Sequence, residues 1–114
     1  MNKTVNKPWG YYTVLDKGEG FLVKKIVVNP NQKLSVQSHN YRSEHWFVLE
    51  GKALVILDKD SFELKKGNSI DIGLKQIHSL QNPFDNELSV LEVQSGELLS
   101  EDDIIRYEDI YGRI

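Results

Sequence analysis

Short runs of strand-forming residues follow one another along most of this chain, each closed by a turn signal, which is the pattern of a β-sandwich or β-barrel. Tyr11–Leu15 comes first and ends at Asp16-Lys17-Gly18-Glu19-Gly20. Phe21–Val28 is nearly all β-forming, and Asn29-Pro30-Asn31 stops it because proline cannot donate to a ladder. Leu34–His39 and Glu44–Leu49 follow, the second closing at Gly51. Ala53–Leu57 and Ser61–Leu64 flank Asp58-Lys59-Asp60, which reads as a hairpin loop. Ser69–Ile72 comes after Lys66-Gly67-Asn68, Ile77–Gln81 precedes Asn82-Pro83-Phe84-Asp85-Asn86, and Leu88–Gln94 is the last clear strand. The tail differs. Ser100 followed by Glu101, Asp102 and Asp103 reads as an N-cap with first-turn acids, so a short helical turn over Glu101–Ile105 and then irregular chain are expected. With no long helical pattern, repeat or linker, a single domain over residues 1–114 is expected.

The bulk properties narrow the function. Hydrophobic residues make up 39% and charged residues 27% of 114, an ordinary balance for one globular domain with a real core. A net charge of −3 with both signs interspersed gives no footprint for nucleic acid or an anionic membrane. The start, Met1 to Pro8, lacks the apolar core of a secretory signal. The chain has no cysteine, which excludes disulfides, zinc ribbons and thiol catalysis and fits a cytoplasmic location. Any metal site must therefore use imidazole, carboxylate and amide ligands.

Such a set falls close together. Gln37 and His39 are two apart on one strand and so share a face. Asn40-Tyr41-Arg42-Ser43 can turn the chain so that Glu44, opening the next strand, faces the same space. His78, on a strand behind Gly67 and Gly73, offers another nitrogen. Two imidazoles, one carboxylate and an amide carbonyl suit one borderline divalent ion: Zn, Mn, Fe, Co or Ni. His45 should point to the opposite face from Glu44. Trp46 returns to the face of Glu44, as core filling or as a sugar-stacking ring.

These positions are similar to the two motifs of the cupins. Gln37, His39, Glu44 and Gly51 match the first, with Gln in the leading His position. Gly67, His78 and Asn82 match the second, with Gly73 and Lys75 replacing its Pro and Gly. The resemblance implies an all-β cupin fold, the double-stranded β-helix or jelly-roll barrel. Lys7-Pro8-Trp9-Gly10, Gln37-Ser38-His39, Arg42-Ser43-Glu44-His45-Trp46, Glu92-Val93-Gln94-Ser95-Gly96, Glu101 to Arg106 and Tyr111-Gly112-Arg113 further resemble the isomerase domain of the type II mannose-6-phosphate isomerase family. The family is His-rich after the position of His39, where this chain has Asn40 and Tyr41. In that family the domain usually follows a nucleotidyltransferase. These 114 residues contain no counterpart, and no guanylyltransferase activity is expected from them.

The resemblance implies a metal-dependent aldose–ketose isomerase converting mannose 6-phosphate to fructose 6-phosphate. The ion would be held by Gln37, His39, Glu44 and His78. Lys24, Arg42 and Arg106 are candidates for the substrate phosphate, because ammonium and guanidinium groups suit it. For Arg42 and Arg106 a surface salt bridge is the competing reading. Of Lys24 and Lys25, one should point inward and need a charged partner. The proton-transfer base is left open among an ordered water, Lys24 and Lys75. Two further readings stay open: a non-catalytic metal- or sugar-binding cupin, motivated by Asn40 and Tyr41, and a non-haem iron oxygenase using His39, Glu44 and His78 without Gln37. A homodimer is expected, since the N-terminal strand offers an exposed edge.

Overall fold

The structure, a computed structural model, describes residues 3–113. They form two antiparallel sheets facing each other, the cupin sandwich expected from the motifs. The strands are β1 (Lys3–Lys7), β2 (Gly10–Gly18), β3 (Phe21–Val28), β4 (Gln32–Lys33), β5 (Val36–Ser38), β6 (Arg42–Glu50), β7 (Lys52–Leu57), β8 (Asp60–Lys65), β9 (Ser69–Ile72), β10 (His78–Asn82), β11 (Leu88–Gly96) and β12 (Ile105–Glu108). One sheet runs β1-β2-β3-β11-β6-β9; the other runs β12-β5-β10-β7-β8, with β4 also on β10.

Alternation along the central strands decides where core and site lie. On β6 the inward residues are Arg42, Glu44, Trp46 and Val48, while His45 and Phe47 face out. On β11 they are Gln94, Glu92, Val90 and Leu88, and on β3 Lys24, Ile26 and Val28. Antiparallel pairing puts the polar members of all three strands at one end of the sandwich and the apolar members at the other. The apolar end closes on Ala53, Val55, Ile72 and Leu80 as a nearly solvent-free core. The polar end is the site.

Two motif residues serve this frame. Gly51 joins β6 to β7 at φ +82, where an added Cβ would lie 2.5 Å from the Glu87 carbonyl oxygen. Asn82 is fully buried, and its amide donates to the carbonyls of Val28, Asn29 and Asn86, holding the β10–β11 loop to the end of β3.

The tail and the N-terminal edge correct two expectations. No helical turn spans Glu101–Ile105. Ser100 does cap a turn, its hydroxyl accepting from the Asp102 amide (3.1 Å) and its carbonyl from the Asp103 amide (3.1 Å). The chain then straightens at once into β12, because Ile105–Glu108 finds a partner in β5 and ladder pairing wins over local helix propensity. The N-terminal edge lies not on the Tyr11–Leu15 strand but on β1, which ends its sheet and pairs along β2 from Lys7↔Gly10 to Lys3↔Val14. Among the described residues no helix is long and apolar enough to cross a membrane.

Candidate metal centre

His39, Glu44 and His78 converge at the polar end of the sandwich, each buried, with one ligand atom apiece lying within 4.8 Å of the others. Glu44 arrives by the inward alternation of β6. His39 follows β5, and His78 opens β10 opposite Gln37. Glu44 Oε2 lies 3.2 Å from His39 Nε2, and Oε1 lies 4.0 Å from His78 Nε2.

The backs of both rings are fixed by backbone. His39 Nδ1 donates to the Asp103 carbonyl at 2.7 Å and His78 Nδ1 to the Gln76 carbonyl at 2.8 Å. Each Nε2 is thereby left as a lone pair aimed at Glu44, the arrangement in which outer hydrogen bonds prepare imidazoles for a metal. Burial, with the charge of Arg42, holds His39 down to about 4, and burial lowers His78 as well, so both rings are neutral at pH 7. The corner before Glu44 is held too: the Asp103 carboxylate accepts from the amides of Asn40 (2.9 Å) and Tyr41 (3.0 Å). Trp46 Nε1 donates to Glu44 Oε1 at 2.9 Å, and its indole meets the His78 ring edge-on at 5.6 Å between centroids. Trp46 is thus buried packing that also orients the carboxylate.

The donor set fits a divalent ion, and a cation of the chain is already drawn to it. Arg42 is buried, with Nε 2.9 Å from Glu44 Oε2 and Nη2 3.2 Å from His39 Nε2. Its salt bridge is therefore a buried ion pair, not the surface one expected as the competing reading. Gln37 lines the same cavity. Its amide nitrogen leans toward the Ser35 carbonyl (3.4 Å), leaving Oε1 without a partner among the described residues. His39, Glu44 and His78 form a cluster that can hold a metal ion.

The cluster opens into a cavity of about 100 Å³, room for several water-sized groups. Its walls carry Lys7, Arg106 and Arg113 as well as Lys24. Arg106 Nε is buried with no hydrogen-bond partner among the described residues. Lys24 is the inward one of the lysine pair, 4% exposed, and its partner is a carboxylate of the chain: Nζ lies 2.8 Å from Glu101 Oε2 and 4.0 Å from the Tyr12 ring centroid. Burial would raise the Glu101 carboxyl, but Lys24 beside it holds it below its ordinary value. Lys75 is exposed at φ +64, its amide donates to the His39 carbonyl, and its side chain lines no part of the cavity, so it brings no ammonium to the metal ligands. Asn40 and Tyr41 are absent from the cavity wall as well, Tyr41 being 53% exposed.

Two acidic cavity residues were missed as site residues in the sequence. Glu92 is 5% exposed, and its Oε1 accepts from Gln94 Nε2 at 2.9 Å. Burial, then the charge of Glu44, push it up to about 7 against the pull of Lys24 and Arg42. The signal was a carboxylate on the apolar face Leu88, Val90, Glu92, Gln94 of a clear strand. Glu101, read as a helix start, is the other, as the partner of Lys24.

The family model "Mannose-6-phosphate isomerase C-terminal" matches residues 1–109. This chain belongs to that family. Among curated relatives it is 45% identical over 114 residues to the mannose-1-phosphate guanylyltransferase ManC of Salmonella typhimurium, covering 100% of this chain and 24% of the relative. It is 48% identical over 109 residues to the alginate biosynthesis protein AlgA of Pseudomonas syringae, covering 96% and 23%. The chain thus spans about a quarter of the length of these relatives. Among solved structures, the capsular polysaccharide assembling protein CapF of Staphylococcus aureus superposes with a TM-score of 0.79 at 17% identity, over 96% of this chain and 35% of CapF. A double-stranded β-helix protein of Klebsiella pneumoniae gives 0.74 at 16%, over 94% and 86%. At these identities the structural likeness speaks for the fold alone.

Proposed function

We propose that this chain is a metal-dependent aldose–ketose isomerase of sugar phosphates, with mannose 6-phosphate to fructose 6-phosphate as its reaction, in the making of surface polysaccharide. The observation that carries the reading is the pair of backbone-anchored imidazoles, Nε2 toward Glu44, at the floor of a cavity whose walls are cationic. Membership of the isomerase C-terminal family and the polysaccharide-related names of the relatives support the substrate class.

His39, Glu44 and His78 would hold the ion, with Gln37 Oε1 as a further donor. Zn, Mn, Fe, Co and Ni are the ions this set suits. When bound, such an ion supplies a Lewis-acid charge that favours the enediolate over the parent sugar. The chain's own residues do the rest. Trp46 holds Glu44 in place. Arg42, bound to Glu44 and to the Ser100 carbonyl and giving up the His39 Nε2 that the ion would take, adds positive charge beside the developing oxyanion. Arg106 Nε, buried with no partner among the described residues, is the donor best placed for the phosphate, with Lys24, still paired to Glu101, on the same cavity wall. Asn40 and Tyr41, which motivated a binding-only reading, do not line the cavity.

The test is isomerisation itself. Metal-loaded protein in deuterated water should convert mannose 6-phosphate to fructose 6-phosphate and incorporate deuterium at carbon 2. Free mannose should be far poorer, because binding energy at the phosphate positions the reacting carbons. Arg106→Ala should weaken kcat/KM for the phosphate ester by roughly 10–100-fold, a lost charge-assisted contact, while leaving the poor rate on free mannose unchanged. A fully metal-loaded protein that neither exchanges nor isomerises any hexose 6-phosphate would end this reading.

A further inference from the structure

We propose that Glu92 is the acid–base residue that carries the proton between the two reacting carbons. The inference rests on the isomerase reading and adds the group which that reading lacks. A proton must leave one carbon and return to its neighbour, so a side chain with a free lone pair has to face the substrate. Among the described residues lining the cavity, His39, Glu44 and His78 have their free atoms committed to the ion. Glu101 is spent on Lys24, and the remaining charged groups apart from Glu92 are cations.

Among the described residues lining the cavity, Glu92 alone is an unpaired carboxylate. It stands in no salt bridge with the described residues, and its Oε1 is anchored by the amide of Gln94, itself fully buried. Oε2 accepts no hydrogen bond from the described residues, yet it is not sealed off, since Glu92 forms part of the cavity wall. Strand register sets its distance from the ligands. Glu44 pairs with Gln94 and Trp46 pairs with Glu92, so Glu92 is the diagonal neighbour of Glu44 on the same face. Diagonal neighbours lie roughly 7–8 Å apart, with their Cβ atoms somewhat closer. Glu92 is not one of the clustered residues, which are His39, Glu44 and His78. It is near enough for its carboxylate to reach a carbon whose oxygen lies against that cluster.

The step balances without a co-reactant. Glu92 Oε2 takes the proton of carbon 2, and the electron pair of that C–H bond becomes the C1–C2 double bond. The π pair of the C1 carbonyl moves onto O1. The hydroxyl proton of O2 ends on O1, O2 re-forms a carbonyl with C2, and the Glu92 carboxylic acid returns a proton to C1.

The experiment compares metal-loaded wild type with Glu92→Gln and Glu92→Asp in deuterated water. Deuterium entry at carbon 2 of mannose 6-phosphate, metal content and calorimetric binding of mannose 6-phosphate are measured together. Glu92→Gln should keep one ion per chain and bind the sugar phosphate within about threefold, while exchange and isomerisation both fall by ~10²–10⁴-fold, the worth of a positioned base. Should the Gln variant fold poorly or lose metal, Glu92→Asp decides. There the carboxylate is kept but withdrawn, and kcat should fall at least about tenfold at unchanged KM and metal content. An active wild type with Glu92→Gln within tenfold of it, or with Glu92→Asp unchanged in kcat, overturns the role of Glu92 and leaves the isomerase reading standing. A wild type that shows no exchange takes down both.

Discussion

Replacing His78 with Ala should leave the chain unable to retain an ion through mild chelation. The expected loss of affinity is about 100-fold or more, since changes to groups that only orient ligands already cost ~10–100-fold. His78 brings one of three clustered donor atoms, and its ring is locked by Gln76 behind, by Trp46 at its edge and by His39 at 5.0 Å between centroids. No other described imidazole can replace it, because His45 faces outward to Asp71. Replacing Gln37 should do less, because a neutral amide oxygen is the donor that water most readily substitutes. Elemental analysis after dialysis against a weak chelator, with circular dichroism to confirm the β fold, reads the difference. One ion per chain retained by His78→Ala would show that the three side chains are not the ligand set.

Those three donors were legible because each depends on short-range rules. Strand alternation put Glu44 inward and His45 outward, and motif spacing joined β5 and β6 to β10. Glu92 depended on something longer in range. Its inward face could be read from Leu88, Val90 and Gln94, but its place beside Glu44 is set by the register of β11 against β6, residues nearly half the chain apart. The tail failed for the same reason in reverse. Ser100 and the three acids after it carry a true local capping signal, and the cap forms. The path beyond the cap is set by β5, which takes Ile105–Glu108 as a strand and so brings Asp103 behind His39, Glu101 onto Lys24 and Arg106 into the cavity. Local chemistry named the turn, and a distant partner decided where the chain went after it.

Gly96→Ala should be among the most damaging single changes in the chain, although it removes no contact. Gly96 pairs with Arg42 at the end of the β11–β6 ladder, with φ at +158. A Cβ there would lie 2.2 Å from the Tyr41 carbonyl oxygen and 2.9 Å from Arg42 Cα. Both are backbone atoms, so no rotamer can relieve the clash. The corner from Asn40 to Arg42 cannot simply retreat, because the Asp103 carboxylate grips the amides of Asn40 and Tyr41 from the other side. Strain would therefore pass either into the ladder or into the corner that seats His39 and aims Arg42 at Glu44. The expected cost is about 3 kcal/mol or more, overpacking added to an unfavourable backbone. In a domain this small that lowers the melting temperature by roughly 10 °C or more. Gly73→Ala is the matched control: its φ is not positive, and the nearest atom is the side-chain oxygen of Gln76 at 3.3 Å, which can move aside. It should change stability by no more than about 0.5 kcal/mol. Thermal melts of the two variants separate the cases, and metal titration of whatever Gly96→Ala protein folds should show weakened binding. Equal melting temperatures for both would mean that the Tyr41–Arg42 corner is free to move, and that the metal ligands owe their placement to something other than this pinned turn.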